Sequence, residues 1–175
     1  MTQAACIELP LPGWSMRRWR EGDEAALQRA ADDERIARWM SDTWPSPYTL
    51  SDAQWWVREG AATHGSNWAL CLHDVAQGGL GAHPQRGFLR CNVEVGWWLS
   101  PAHWGRGVVP LAGQELLRLA LADLEVTRVF APVHAHNEPS MRVARKLGMT
   151  LEAVQPKSAY KRGTVIDRHI YALYR

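Results

Sequence analysis

One stretch of the chain, residues 91–136, constrains the fold more than any other. It opens with "CNVEVGWWLS", where Val93, Val95 and Trp97 fall on one face of a strand and Glu94, Gly96 and Trp98 on the other. "HWGRGVVPLAGQ" (103–114) breaks that alternation with two glycines and then turns Ala/Leu-rich, a helical run predicted to reach about Leu124. "TRVFAPVHAH" (127–136) reads as the next strand. Strand, helix, strand requires a crossover, and a crossover brings parallel pairing.

The flanks add antiparallel pieces. "WSMRRWR" (14–20) reads as a strand, and residues 21–40 as two short helices broken near Asp32-Asp33. "TLSDAQWWVREGAA" reads as an amphipathic helix with Ser51 as its N-cap. "NWALCLHD" (67–74) and "GGLGAH" (78–83) read as antiparallel strands joined by a glycine-bearing turn. A helix over 137–148 closes on Gly148, and strands over 149–155 and 164–173 complete the chain. The order β, helices, β-β-β, α, β, α, β-β predicts an α/β (α+β) sandwich built on a mixed, mostly antiparallel, seven-stranded sheet. At 175 residues one domain is expected, over 14–175, preceded by an N-terminal extension, 1–13.

Composition excludes several classes. A net charge of +2 leaves no electrostatic footprint for nucleic acid. No apolar run approaches the ~20 residues needed to span a bilayer. "MTQAACIELPLPGW" lacks a basic segment followed by a continuous apolar run, so no signal peptide is expected. Cys6, Cys71 and Cys91 are odd in number and far apart, which fits neither a disulfide framework nor a zinc ribbon. Cys71 and Cys91 are expected as buried thiols in a reducing, cytoplasmic setting.

The glycine loop carries the chemistry. "GRGVVPLAGQ" is no Walker loop, because no Gly-Lys-Ser/Thr follows, and no dinucleotide fingerprint, because its third glycine would fall on Pro110. Small residues at 105 and 107 still let a ligand approach the backbone, and Pro110 suits a first helical turn. Free amides there, the helix dipole and Arg106 together make an anion site. On these residues alone, a plain glycine turn and a phosphate cradle both remain open.

With its neighbours, the loop resembles the GNAT superfamily of acetyl-CoA-dependent N-acetyltransferases. "EVGWWLSPAHWGRG" (94–107) is similar to the "E-x-G-Y-W-L-x-P-x-x-W-G-x-G" of the RimJ/RimL-like branch. "MRRWREGDEAAL", "NEPSMRVARKLGM" and "DRHIYAL" are similar to that branch's opening, helix and closing strand, so the resemblance covers about residues 14–174. Trp104 and Val109 depart from the superfamily pattern, which has Gln or Arg and Gly or Ala there. The resemblance implies the GNAT fold, with helices on both faces and a splayed central pair of parallel strands, 91–99 and 127–136. It implies acetyl-CoA as cosubstrate, no metal, and a pantetheine arm paired with the backbone of Trp97, Trp98 and Leu99. Amides from Gly105, Arg106, Gly107, Val108 and Val109 would hold the pyrophosphate, and Asn137 would bond the cofactor or cap its helix.

It also implies transfer of the acetyl group to a primary amine, a protein or peptide N-terminal α-amine in this branch. Small amines, amino acids, drugs, or acyl-CoA binding without turnover are the alternatives. Many members use a tyrosine acid seven residues after the asparagine; here Ala144 stands there, and Ser140 is the remaining proton donor unless it only shapes the helix entry. Glu94 is the candidate base if its face meets the cleft, and a solvated residue if it does not. His134 and His136 share a strand face at the cleft mouth and could relay a proton, touch substrate or be plain strand-end polarity; a third metal ligand at sensible spacing is missing. Trp44, Trp55 and Trp56 could line the acceptor pocket, box an ammonium group or form a homodimer contact.

Overall fold

Alternation along the strands sorts the apolar residues onto two faces of one sheet. The structure, a computed structural model, describes residues 6–63 and 65–175. Eight strands pair in the order β1-β2-β3-β4-β5-β6-β8-β7. They are β1 (Cys6–Glu8), β2 (Trp14–Arg18), β3 (Ser66–Leu72), β4 (Val75–Pro84), β5 (Asn92–Leu99), β6 (Arg128–His134), β7 (Thr150–Lys161) and β8 (Thr164–Tyr174). Every pairing is antiparallel except β5 with β6.

In β3, Trp68 and Leu70 point to one side and Ala69 and Cys71 to the other, all fully buried. The first side is closed by α5 (Val108–Ala120) and α6 (Glu138–Lys146), whose Ala112, Leu116, Met141 and Ala144 join the main core. Across the sheet, α1 (Glu24–Ala31) and α3 (Leu50–Trp55) bring Leu27, Ala31 and Ala53 onto Ala69 and Cys71. Each large side chain buried this way contributes about 1.5–3 kcal/mol. Burial pushes the Cys71 thiol up to about 12, so it is inert at neutral pH. Between α1 and α3 lies α2 (Glu34–Ala37), and a π turn over Trp56–Gly60 leads from α3 into α4 (Ala61–Thr63). No helix among the described residues is long and apolar enough to cross a membrane.

Several sequence expectations change. Seven strands are expected and the described residues form eight: Cys6–Glu8 adds an edge strand to β2, and Leu9 behind it is buried at 7 % exposure. Residues 1–5, the start of the expected extension, lie outside the described residues. The N-cap of α3 is Thr49, not Ser51: its hydroxyl accepts from the Asp52 amide while the Asp52 carboxylate accepts from the Thr49 amide. The β3–β4 turn uses no glycine; His73 and Asp74 take left-handed conformations (φ 47° and 65°), and Asp74 is tied to Arg17 and Arg20. Helix α5 ends at Ala120 rather than near Leu124, and β7 runs on to Lys161 across an irregular stretch between Gln155 and Ala159.

Candidate active site

Strands β5 and β6 pair over three positions only, Asn92↔Arg128, Val93↔Val129 and Glu94↔Phe130, and then part. Local hydrogen bonds show which groups face the gap. Ser100 N–H donates to Gln77 on the β4 side and the Cys91 carbonyl accepts on the β6 side, so odd-numbered residues of β5 present their peptide groups to β6. Ala135 N–H donates to Asp167, so odd-numbered residues of β6 face β8 and even-numbered ones face β5. Pro132 is therefore turned toward β5 at the point where the ladder would continue, and it has no N–H to give. The ladder ends with the Val95 N–H on the Phe130 carbonyl, so the gap is left with the carbonyl of Val95, the peptide groups of Trp97 and the N–H of Leu99. The Leu99 carbonyl is already taken by the Trp104 indole N–H at 2.7 Å.

Trp98 differs from its two neighbours. Its peptide groups pair with β4 opposite Gly79, and its ring packs edge-on against Trp44, centroids 5.3 Å apart.

Beyond Leu99 the chain makes a short 3-10 turn, Pro101–His103, and enters α5 through two left-handed glycines, Gly105 (φ 75°) and Gly107 (φ 79°). Gly107 is the N-cap residue, and no side-chain hydrogen bond from the described residues caps the helix. A Cβ at either glycine would meet nothing within 4 Å, so this surface is bare main chain. The first amides of a thirteen-residue helix are thus left with no intrahelical acceptor at the positive end of its dipole. Val109 directs its side chain into the main core (8 % exposed), so its β-branch does not stand over the loop. Arg106 is exposed on the rim rather than lining the cleft. His103 holds Gln77 Oε1 at 3.1 Å and packs on Trp14; burial, and then Arg106, keep its imidazole below the ordinary value.

Gap, loop and α6 enclose a cleft of about 750 Å³. Glu94, Trp97, Trp98, Leu99 and His134 line it from the strands, and Gly105, Gly107, Val108 and Val109 from the loop. From the start of α6 come Asn137 and Ser140. Asn137 is 7 % exposed and its Oδ1 accepts the Ser140 amide at 3.3 Å, a cap that leaves its Nδ2 for the cleft. No protein group among the described residues hydrogen-bonds Ser140 Oγ. No tyrosine or cysteine is among the described lining residues, and Ala144 is fully buried in the core. His134 lines the mouth with its Nδ1 buried and without a partner among the described residues; burial first, then Lys161 and Arg168, hold its imidazole below the ordinary value, against the smaller pull of Asp42. No group of three or more metal-ligating side chains occurs among the described residues.

Trp44, Trp55 and Trp56 do not line this cleft. Trp56 packs edge-on against Trp19 on the α1 side of the sheet, Trp55 is 53 % exposed, and Trp44 reaches the cleft only through Trp98. The wall facing the strand gap comes instead from α2 and the residues after it: Arg35, Arg38, Trp39, Met40 and Ser41. These were not among the sequence candidates, and neither were Arg142 and Lys146 on the cleft side of α6. Lys146 had a signal, since 137, 140, 143 and 146 recur at a three-residue spacing along one ridge, and Arg142 falls outside that series. The α2 wall had none.

Residues 15–150 match the family described as the acetyltransferase (GNAT) domain. The chain belongs to the GNAT acetyltransferases. Uncharacterized N-acetyltransferase YnaD of Bacillus subtilis (strain 168) is 23% identical over 160 residues, covering 90% of this chain and 91% of that one. The ribosomal-protein-serine acetyltransferase of Escherichia coli (strain K12) is 27% identical over 84 residues, 48% of this chain and 47% of the relative. Among solved structures, RimL, a ribosomal L7/L12 alpha-N-protein acetyltransferase in complex with coenzyme A, superposes with a TM-score of 0.83 at 17% identity over 97% of each chain. That likeness carries the fold, and the GNAT family carries the activity class: an acetyl-CoA-dependent acetyltransferase. The residues present fit that cosubstrate, because parted strands offer unpaired peptide groups beside a bare, uncapped helix N-terminus suited to a diphosphate.

Proposed function

We propose that the enzyme moves the acetyl group of acetyl-CoA directly to a primary amine, a peptide or protein N-terminal α-amine, with Ser140 as proton donor and Glu94 as the group that receives the amine's proton. The observation that carries this reading is the placing of Ser140 and Glu94 on one cleft with the strand gap and the bare start of α5. Acetyl-CoA supplies the activated thioester. The protein's part is to orient it and to manage two protons. The Val95 carbonyl and the peptide groups of Trp97 hold an extended arm as an added strand, and amides from Gly107 to Val109 hold the diphosphate. Ser140 Oγ, free of protein partners among the described residues, hydrogen-bonds the departing sulfur and passes it a proton that water in the open cleft replaces, so the hydroxyl is regenerated. Direct transfer is supported by the lack of a cysteine or tyrosine among the described residues lining the cleft. The N-terminal α-amine follows the ribosomal-protein acetyltransferases among the chain's relatives and fold neighbours.

Ser140→Ala is expected to lower kcat about a hundredfold, the low end for general acid catalysis because a thiolate leaves readily. Calorimetric titration with coenzyme A is expected to give the same Kd as the parent enzyme. Unchanged kcat would remove Ser140 from the mechanism.

His134 adds a pH dependence. Below its depressed pKa the ring gains a charge beside Lys161 and Arg168 and repels an incoming ammonium. Neutral His134 is therefore the active form, and activity is lost as pH falls. After correction for free amine, the acidic limb of kcat/KM is expected below the ordinary imidazole value of about 6.5. His134→Gln is expected to flatten that limb; an unmoved limb rejects the assignment.

A further inference from the structure

The acceptor wall is asymmetric in charge. Three acidic residues of the α2 region are held in ion pairs: Asp33 by Arg35 at 2.7 Å, Asp42 by Lys161 at 3.2 Å, and Glu34 by Arg162. Two of these cations, Lys161 and Arg162, sit at the tip of the β7–β8 hairpin, and Lys161 also donates to the Ser41 carbonyl at 3.3 Å. Hairpin and wall are thereby braced together at residues 34–42. Arg38 stands apart. Among the described residues it is the cleft-lining cation on this wall with no carboxylate within ion-pair distance. Its guanidinium lies over the Trp39 ring, 5.2 Å from the centroid, which steadies a planar donor at an exposed position. Opposite, Glu94 is the one carboxylate among the described residues lining the cleft.

We infer that the acceptor site selects peptides whose first side chains after the α-amine are acidic, with Arg38 as the specificity-determining residue. This rests on the peptide α-amine reading above. Glu94 at the strand fork receives the amine. Arg38, exposed on the rim, meets a carboxylate further along the same peptide, because the wall's own carboxylates are already occupied. A basic segment in that place would face Arg38 with no free acid beside it.

The test pairs two peptides that share a serine N-terminus, one with Asp-Glu and one with Asn-Gln at the next two positions. Turnover is followed by thiol release from acetyl-CoA. The acidic peptide is expected to show about fivefold higher kcat/KM, in line with one exposed ion pair, and the preference is expected to fade in high salt. Arg38→Lys keeps part of the preference, and Arg38→Glu reverses it toward a matched Lys-Lys peptide. Coenzyme A titration of Arg38→Glu is expected to leave its Kd in place, which separates an acceptor contact from a phosphate contact. Equal turnover of the acidic and amide peptides overturns this inference alone. A Kd for coenzyme A weakened by Arg38→Glu, with the peptide preference intact, also overturns it. If no peptide releases thiol although coenzyme A binds, the α-amine reading itself fails.

Discussion

The parent enzyme is expected to bind coenzyme A with a micromolar Kd in calorimetric titration, and Gly107→Glu is expected to abolish that binding, a loss of more than about a hundredfold. The position joins two effects. Gly107 is left-handed at φ 79°, where any other residue costs roughly 1–2 kcal/mol. Its would-be Cβ points into open space, so the fold has room for the side chain and the strain stays local. The second effect decides the outcome. A carboxylate at that spot sits at the uncapped start of α5, where it repels the diphosphate and can itself accept from the helix amides. Losing two charge-assisted hydrogen bonds, at about 1.5–3 kcal/mol each, exceeds a hundredfold in affinity. Gly107→Ala separates the parts: it carries the strain without the charge, and its loss is expected to be smaller by about tenfold or more. Retained micromolar affinity in Gly107→Glu would place the diphosphate elsewhere and remove the basis of the proposed mechanism.

What could be read from sequence, and what could not, follows the range of the interactions involved. The strand-to-helix passage from Asn92 to Ala120 is written in local terms: alternation, two glycines at left-handed positions, a proline in the first helical turn. Asn137 and Ser140 were legible for the same reason, since a cap and its partner lie within one turn. Pro132 was a local signal that the sequence reading did not use: a proline inside an otherwise good strand marks where one ladder must stop. The acceptor wall was not legible. Arg35 to Ser41 reach the cleft because Lys161 and Arg162, about 120 residues away, fasten that segment to the hairpin tip. Nothing in the spacing of residues 34–42 announces such a tie. The tryptophans failed for the opposite reason: an apolar ring satisfies a core as well as a binding site, and Trp56 found Trp19 on the far side of the sheet.

Asp23→Ala is expected to destabilise the fold by about 3–5 kcal/mol, the cost of leaving a buried charge without its partner. The segment "MRRWREGD" owes its form to this contact. Arg17 stands on β2 with only 4 % of its surface exposed, and its guanidinium grips Asp23 through two 2.7 Å hydrogen bonds. Asp23 is 5 % exposed and also accepts the Arg20 amide at 3.0 Å, while its carbonyl receives the Leu27 amide. The carboxylate thus turns the chain from β2 into α1 and neutralises a cation that the sheet has buried. Asp74 offers Arg17 a second carboxylate at 2.7 Å, but its side chain is 61 % exposed and screened by water, so it cannot stand in for Asp23. For a domain of this size the loss corresponds to a fall in Tm of roughly 10 °C, measurable by calorimetry or urea titration. The double replacement Arg17→Met with Asp23→Leu removes both charges and is expected to recover much of that loss, because the pair's value lies in mutual neutralisation. A change below about 1 kcal/mol in Asp23→Ala would mean that Arg17 finds water or Asp74 without cost, and that the turn is held by its backbone alone. Because α1 leads directly into α2, the same variant is expected to raise KM for the acceptor peptide in the fraction that stays folded. Its Kd for coenzyme A is expected to hold, because the proposed cofactor contacts lie on β5, α5 and α6, on the other side of the cleft.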